Sequence, residues 1–173
     1  MKREALWPRI EPDRLRRELQ EGDDADLARR RGVILVSLAG MASMAAVTLL
    51  QTGIVRHLPD PPGDAFDSDK VNASRTAYRF GLPDSPVSLA LHAANVPLAA
   101  LGGKKRARSQ PWIPIVAAVK AAIEAAAASW YFYQMPAKEK AWCPYCVTGA
   151  LANLGIAALT FPEARRAWAS LHR

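Results

Sequence analysis

Residues 32–55 of this chain, GVILVSLAGMASMAAVTLLQTGIV, carry no charged side chain, and Arg29, Arg30 and Arg31 stand directly before them. A helix needs about 20 largely apolar residues to cross a hydrocarbon core. Such a span commits the chain either to a membrane or to removal as a signal sequence. The apolar region of a signal sequence is usually about 7–15 residues long, and the polar leader here, residues 1–31, is unusually extended. The span is therefore read as an uncleaved first helix.

Three further segments have related character. Residues 86–103, PVSLALHAANVPLAALGG, open on a proline suited to a first helical turn and close on two glycines suited to a helix end. Pro97 is expected to kink this segment, and His92 and Asn95 suit it to the interior of a bundle rather than to lipid. Residues 111–133 are alanine-rich and contain Lys120 and Glu124, so a soluble helix is the competing reading. Trp112 at one end and Trp130, Tyr131 and Tyr133 at the other resemble interfacial belts, and the alanines suit close helix contact. Residues 142–161, WCPYCVTGALANLGIAALTF, are again uncharged, and PEARRAW after them reads as a stop.

Charge supplies an independent test. The net charge of +7 and a pI near 9.8 would suit a nucleic-acid binder, and KKRAR at 104–108 looks like a basic patch. No nucleic-acid motif or interleaved aromatic accompanies it. With a cytoplasmic N-terminus, nine Lys and Arg fall in residues 1–31, four after the second span and three after the fourth, against six outside. That excess follows the positive-inside rule and accounts for KKRAR without nucleic acid. The expected fold class is all-α: an integral membrane four-transmembrane-helix bundle with an outer loop carrying a short surface helix. Residues 1–31 form a polar cytoplasmic segment, 32–161 the membrane domain and 162–173 a short basic cytoplasmic tail. A short helix is expected around DRLRRELQ, and another at RTAYRF, residues 75–80, with Tyr78 and Phe80 dipping toward the bundle.

The only two cysteines, Cys143 and Cys146, stand in AWCPYCV at the outer mouth of the fourth span. CPYC also resembles the motif of soluble glutaredoxins, but no strand-like run precedes Trp142. Zinc needs about four ligands, and His57, His92 and His172 are spread over both sides of the membrane and its interior. Buried structural thiols would be unusual beside Trp142 and Tyr145 at an interface. A redox pair suits the position. Cys143 fits the helix N-cap with Pro144 next, where free N–H groups and the helix dipole lower a thiol pKa. Cys143 is expected to be the more exposed sulfur and Cys146 the deeper one.

In this setting the chain resembles the vitamin K epoxide reductase family, including its bacterial disulfide-forming members. AWCPYCVTGAL, residues 141–151, is similar to the family signature, and FDSDKVNASRTAYRFGLPDSPVSL, residues 66–89, to its outer loop. The match covers residues 32–161. By that match Ser74 takes the loop serine, and Phe80, Gly81 and Pro83 the turn into the second helix. The resemblance implies catalytic Cys143 and Cys146, a quinone of ubiquinone or menaquinone type facing Cys146, and Ser74, Phe80, Trp142 and Tyr145 as candidate quinone contacts. It further implies a thioredoxin-fold dithiol partner outside the bacterial inner membrane; no metal is expected, for want of ligands. The family's best-understood members carry a second cysteine pair in the outer loop, whereas residues 57–85 here contain none, and Asp67, Ser68, Asp69, Asn72 and Ala73 occupy that neighbourhood. The leading expectation is a membrane thiol–disulfide oxidoreductase linking protein dithiols to a quinone. The alternative is a non-enzymatic binding or assembly protein on a degenerate version of the scaffold.

Asn72-Ala73-Ser74 fits a glycosylation sequon that arises readily by chance. The aspartates of DPPGDAFDSD lack the order of a calcium loop. Lys120 and Glu124 are four apart and can neutralise one another, yet charges inside a membrane are functional suspects, here for a place near the quinone or in proton supply.

Overall fold

The computed structural model describes residues 11–172. Seven helices run through them: α1 (Pro12–Glu21), α2 (Ala25–Gln51), α3 (Ser68–Asn72), α4 (Asp84–Ala100), α5 (Arg106–Ser109), α6 (Trp112–Gln134) and α7 (Pro144–Leu171). The helix expected around DRLRRELQ is α1. A π-helical turn, Met135–Glu139, extends α6, and Lys140 with φ 50° turns the chain back toward α7. The only bridge outside the helices, among the described residues, pairs Phe66 with Trp142.

Among the described residues, three helices are long and apolar enough to cross a membrane: α2, α6 with its π turn, and α7. At about 1.5 Å per residue, the 27 residues of α2 reach about 40 Å, beyond a hydrocarbon core of about 30 Å. The 17 residues of α4 reach only about 26 Å. The bundle thus combines three candidate spans with one shorter helix.

Two boundaries differ most from those read in the sequence. Helix α2 starts at Ala25, ahead of the apolar run, because the Asp24 carboxylate accepts the N–H groups of Asp26 (2.9 Å) and Leu27 (3.0 Å). Helix α7 continues through Pro162 to Leu171, where residue 161 was the expected end. The RTAYRF segment is a series of turns, not a helix, and the short outer-loop helix is α3. Tyr78 donates its hydroxyl to the Gln51 carbonyl (3.1 Å), while Phe80 stays 77% exposed instead of dipping inward. Gly81, with φ 75°, makes the turn that precedes α4.

Burial is arranged as a membrane requires. Leu35, Val119, Ile123 and Leu151 point out of the bundle, whereas Ser37, His92, Asn95 and Glu124 are buried in it. Helix α7 packs on α2 and α6, and α2 packs on α4; α4 and α6 touch much less. Gly40 lets α4 approach α2 closely, since a β-carbon there would stand 2.6 Å from the His92 ring.

One end of the bundle is held by a charge cluster. The Glu163 carboxylate accepts from Arg106 Nε (3.0 Å) and Nη2 (2.8 Å) and from Arg30 Nε (3.1 Å), and it also pairs with Arg30 Nη2. Arg106 Nη1 donates to the carbonyls of Leu98 (2.7 Å) and Leu101 (2.6 Å), capping the end of α4. Arg30 reaches Gly103 O (3.3 Å), so these three side chains tie α2, α4, α5 and α7 together. The CxxC pair and the loop before α4 occupy the opposite end.

Candidate active site

The site is built where α7 begins. Cys143 has extended backbone and caps α7, its Sγ accepting the N–H of Cys146 at 3.1 Å. Pro144 follows at the first helical position, where a missing N–H costs nothing. Asn72, at the end of α3, donates from Nδ2 to Cys143 Sγ (3.3 Å), while its Oδ1 accepts from Cys146 Sγ (3.4 Å). One buried amide therefore touches both sulfurs. The same Nδ2 also donates to Ser68 O (2.8 Å), which fixes the amide's orientation.

The outer loop is fastened over this pair. Trp142 N–H donates to Ala65 O (2.8 Å), and Asp67 N–H donates to Trp142 O (3.0 Å). Asp60 accepts from the Ser68 N–H (2.7 Å) and hydroxyl (2.6 Å). Asp69 accepts the Leu58 N–H (3.0 Å) and bonds His57 Nδ1 (2.5 Å). Tyr145 donates its hydroxyl to Pro59 O (2.8 Å). Cys143 is consequently fully buried, among Val71, Met135, Ala141 and Trp142, whereas Cys146 is only partly so. This reverses the expected order of exposure. The sequence placed Cys143 at the helix mouth, but the loop lies across that mouth.

Both cysteines are free thiols. Cys143 stands just outside the spanning stretch of α7, and its thiol pKa is lowered to about 7. The largest cause is the hydrogen bond with the Cys146 thiol; burial opposes it, and the Cys146 N–H, Ser68 and Asn72 add to the lowering. Hydrogen bonds to a charged form favour that form. Asn72→Ala is accordingly expected to raise the pH at which Cys143 becomes half-reactive, from near 7 upward. Alkylation rate against pH, read at Cys143 by mass spectrometry, measures it. An unmoved midpoint would remove Asn72 from this account.

Beside the pair lies a cavity of about 390 Å³, between α4 and α6 and walled by α7. Cys146, Asn72 and Phe132 line its outer part; Leu91, Ala127 and Asn153 line it further along. Of the residues singled out in the sequence, Ser74 and Phe80 join this lining. Trp142 and Tyr145 stand elsewhere: Trp142 packs on Phe132 with ring centroids 5.1 Å apart, and Tyr145 holds Pro59. Glu124, suspected as an intramembrane charge, does line the cavity. Among the described residues, no group of three or more His, Cys, Asp and Glu is placed to hold a metal.

The family model described as the vitamin K epoxide reductase family matches residues 32–161. The chain belongs to the vitamin K epoxide reductase family. No curated protein matches it. The family is one of oxidoreductases that typically use a quinone, and its matched region contains both sulfurs, the fastened loop and every wall of the cavity. Within this family setting, Asn72 is the residue that sequence reasoning missed. It was noted only as part of a sequon and as a neighbour of the absent loop cysteines. With 4% of its surface exposed and its amide on two sulfurs, it is no accessible glycosylation site.

Proposed function

We propose that the protein is a membrane thiol–disulfide oxidoreductase that passes electrons between protein dithiols and a membrane quinone through Cys143 and Cys146. The carrying observation is that Cys146 shares the Asn72 amide with Cys143 and also lines the 390 Å³ cavity. Small-molecule sites commonly span about 300–1,000 Å³, mostly apolar with a few placed polar groups. A cavity walled by Leu91, Phe132 and Tyr131, with Asn72, Ser88 and Asn153 as hydrogen-bonding groups, fits a quinone head in size and chemistry. When bound, a quinone supplies a two-electron, two-proton acceptor.

The chain's own residues divide the work. Cys143, held near thiolate form by its donors, exchanges with a partner disulfide or dithiol; Cys146 resolves the product and faces the cavity. Because residues 57–72 cover Cys143, a partner must first displace that cover. In the absence of loop cysteines, its sulfur then meets Cys143 directly. The partner class is a thioredoxin-fold dithiol protein on the outer face. In this reading α4 is the second span, shorter than the other three, both ends of the chain lie in the cytoplasm of a bacterium, and the protein sits in the inner membrane. Impermeant labelling of a cysteine placed at the exposed Arg108 tests that orientation: labelling only after the membrane is permeabilised supports it, and labelling from outside in intact cells contradicts it.

Purification in mild detergent, followed by solvent extraction and redox titration of the two thiols, tests the function. A quinone bound at about one per chain, with Cys143 and Cys146 interconverting between dithiol and disulfide, is expected. A protein without quinone whose thiols never pair would instead be a binding or assembly protein on this scaffold.

A further inference from the structure

Glu124 lies on α6 with 6% of its side chain exposed, and it lines the same cavity as Cys146. Lys120, one turn earlier, pairs with one carboxylate oxygen, and Asn95 Nδ2 of α4 donates to the other (3.4 Å). The Lys120 ammonium also donates to Asn95 Oδ1 (2.8 Å) and Leu91 O (2.8 Å), so all three of its donors are used. The carboxylate is thus fixed in one orientation at the cavity wall. On α7, the lining runs from Cys146 to Asn153, about 10 Å along the axis. On α6 it runs from Gln134 to Glu124, so Glu124 lies at the end remote from the outer loop. The other acids of the lining, Asp84 and Glu139, stand at the loop end, bonded to Gln51 (2.9 Å) and Thr76 (3.1 Å). Around Glu124, the groups of charge or titration are Lys120 of its own helix and His92 of α4, with Tyr131 further along the lining.

A pair that only held helices together would not need to line the cavity of the redox sulfur. We propose that Glu124 is the proton-transfer residue of this cavity, oriented by Lys120 and Asn95. The inference rests on the quinone-linked function above. Oxidation of two thiols to a disulfide releases two electrons and two protons, and reduction of a quinone to a quinol takes up two of each. The electrons leave from Cys146. The Glu124 carboxylate relays the protons, each taken up in turn from those the thiols release and passed to the acceptor, so the carboxylate is restored over a cycle. General acid–base groups of this kind contribute about 10²–10⁴-fold in rate.

The test uses purified full-length protein in detergent with a short-chain quinone and dithiothreitol. Glu124→Gln is expected to bind that quinone as the wild type does, by titration of tryptophan fluorescence, while turnover falls by about 10²-fold or more at unchanged KM. Glu124→Asp restores part of the rate. A carboxyl stretching band in the infrared difference spectrum on reduction is expected in the wild type and in Asp84→Asn, and not in Glu124→Gln. Because Glu124→Gln leaves Lys120 unpaired, the double variant Lys120→Met/Glu124→Gln provides the decisive control. A double variant as slow as the single one supports proton transfer. Recovery of turnover in the double variant would show that Glu124 only balances Lys120, and persistence of the band without Glu124 would equally overturn the proposal. If wild-type protein neither binds nor reduces the quinone, the functional reading fails first, and this inference fails with it.

Discussion

Glu163→Ala is expected to destabilise the protein by about 3–5 kcal/mol, the range for removing one partner of a buried charge cluster. Its carboxylate carries hydrogen bonds from both Arg30 and Arg106, and all three side chains are at most 5% exposed. Without it, two guanidinium groups face each other in the same buried space. Their remaining partners are carbonyls at the end of α4 and in the turn after it, which cannot cancel the charge. The loss should exceed that of Arg30→Met/Glu163→Leu, which leaves Arg106 with its three α4-end carbonyls. Thermal unfolding in detergent measures the series. A loss below about 1 kcal/mol for Glu163→Ala would mean that the cluster is solvated and does not tie the helices together.

The second large effect concerns the sulfurs. Cys146→Ala should reduce dithiol-to-quinone turnover to background and leave Cys143 able to attack a partner disulfide with no neighbour to resolve the product. A mixed disulfide at Cys143 is then expected to accumulate. Cys143→Ala should not trap a partner comparably, because Cys146 faces the cavity and not the outer surface. The buried state of Cys143 adds a kinetic expectation. Substitution of Asp60 by Ala, which removes the acceptor of the Ser68 N–H and hydroxyl, should speed formation of the mixed disulfide in the Cys146→Ala background. Non-reducing gels with mass spectrometry of the cross-linked band read all three variants. Equal trapping by both cysteine variants would refute the division of roles.

Much of the architecture was legible because membrane physics writes itself into composition. Residues 32–55 lack charge, the positive residues crowd one set of loops, and Pro144 after Cys143 marks a helix start. The family signature then pointed to the CxxC pair, Cys143 and Cys146, as the candidate site. What stayed hidden depends on contacts between distant segments. Nothing local to Asp60, Ser68 or Asn72 reveals that they cover Cys143, so the exposure of the two sulfurs was inverted. The extension of α2 back to Ala25 depended on the Asp24 cap, which sits before the hydrophobic signal begins. RTAYRF resembled a surface helix by its pattern, but Tyr78 is drawn to the Gln51 carbonyl and Gly81 turns the chain. Arg106 read as one of four loop cations, while in the fold it is buried on Glu163, 57 residues away.

The most direct measurement of the central claim is simultaneous recording of quinone absorbance and thiol content during turnover of the purified protein. A reduced thioredoxin-fold protein serves as electron donor and a short-chain quinone as acceptor. The account predicts one quinol formed per disulfide made, with wild-type protein only and not with Cys146→Ala. Disulfide formation without quinol, or equal quinol formation by the Cys146→Ala protein, would contradict it.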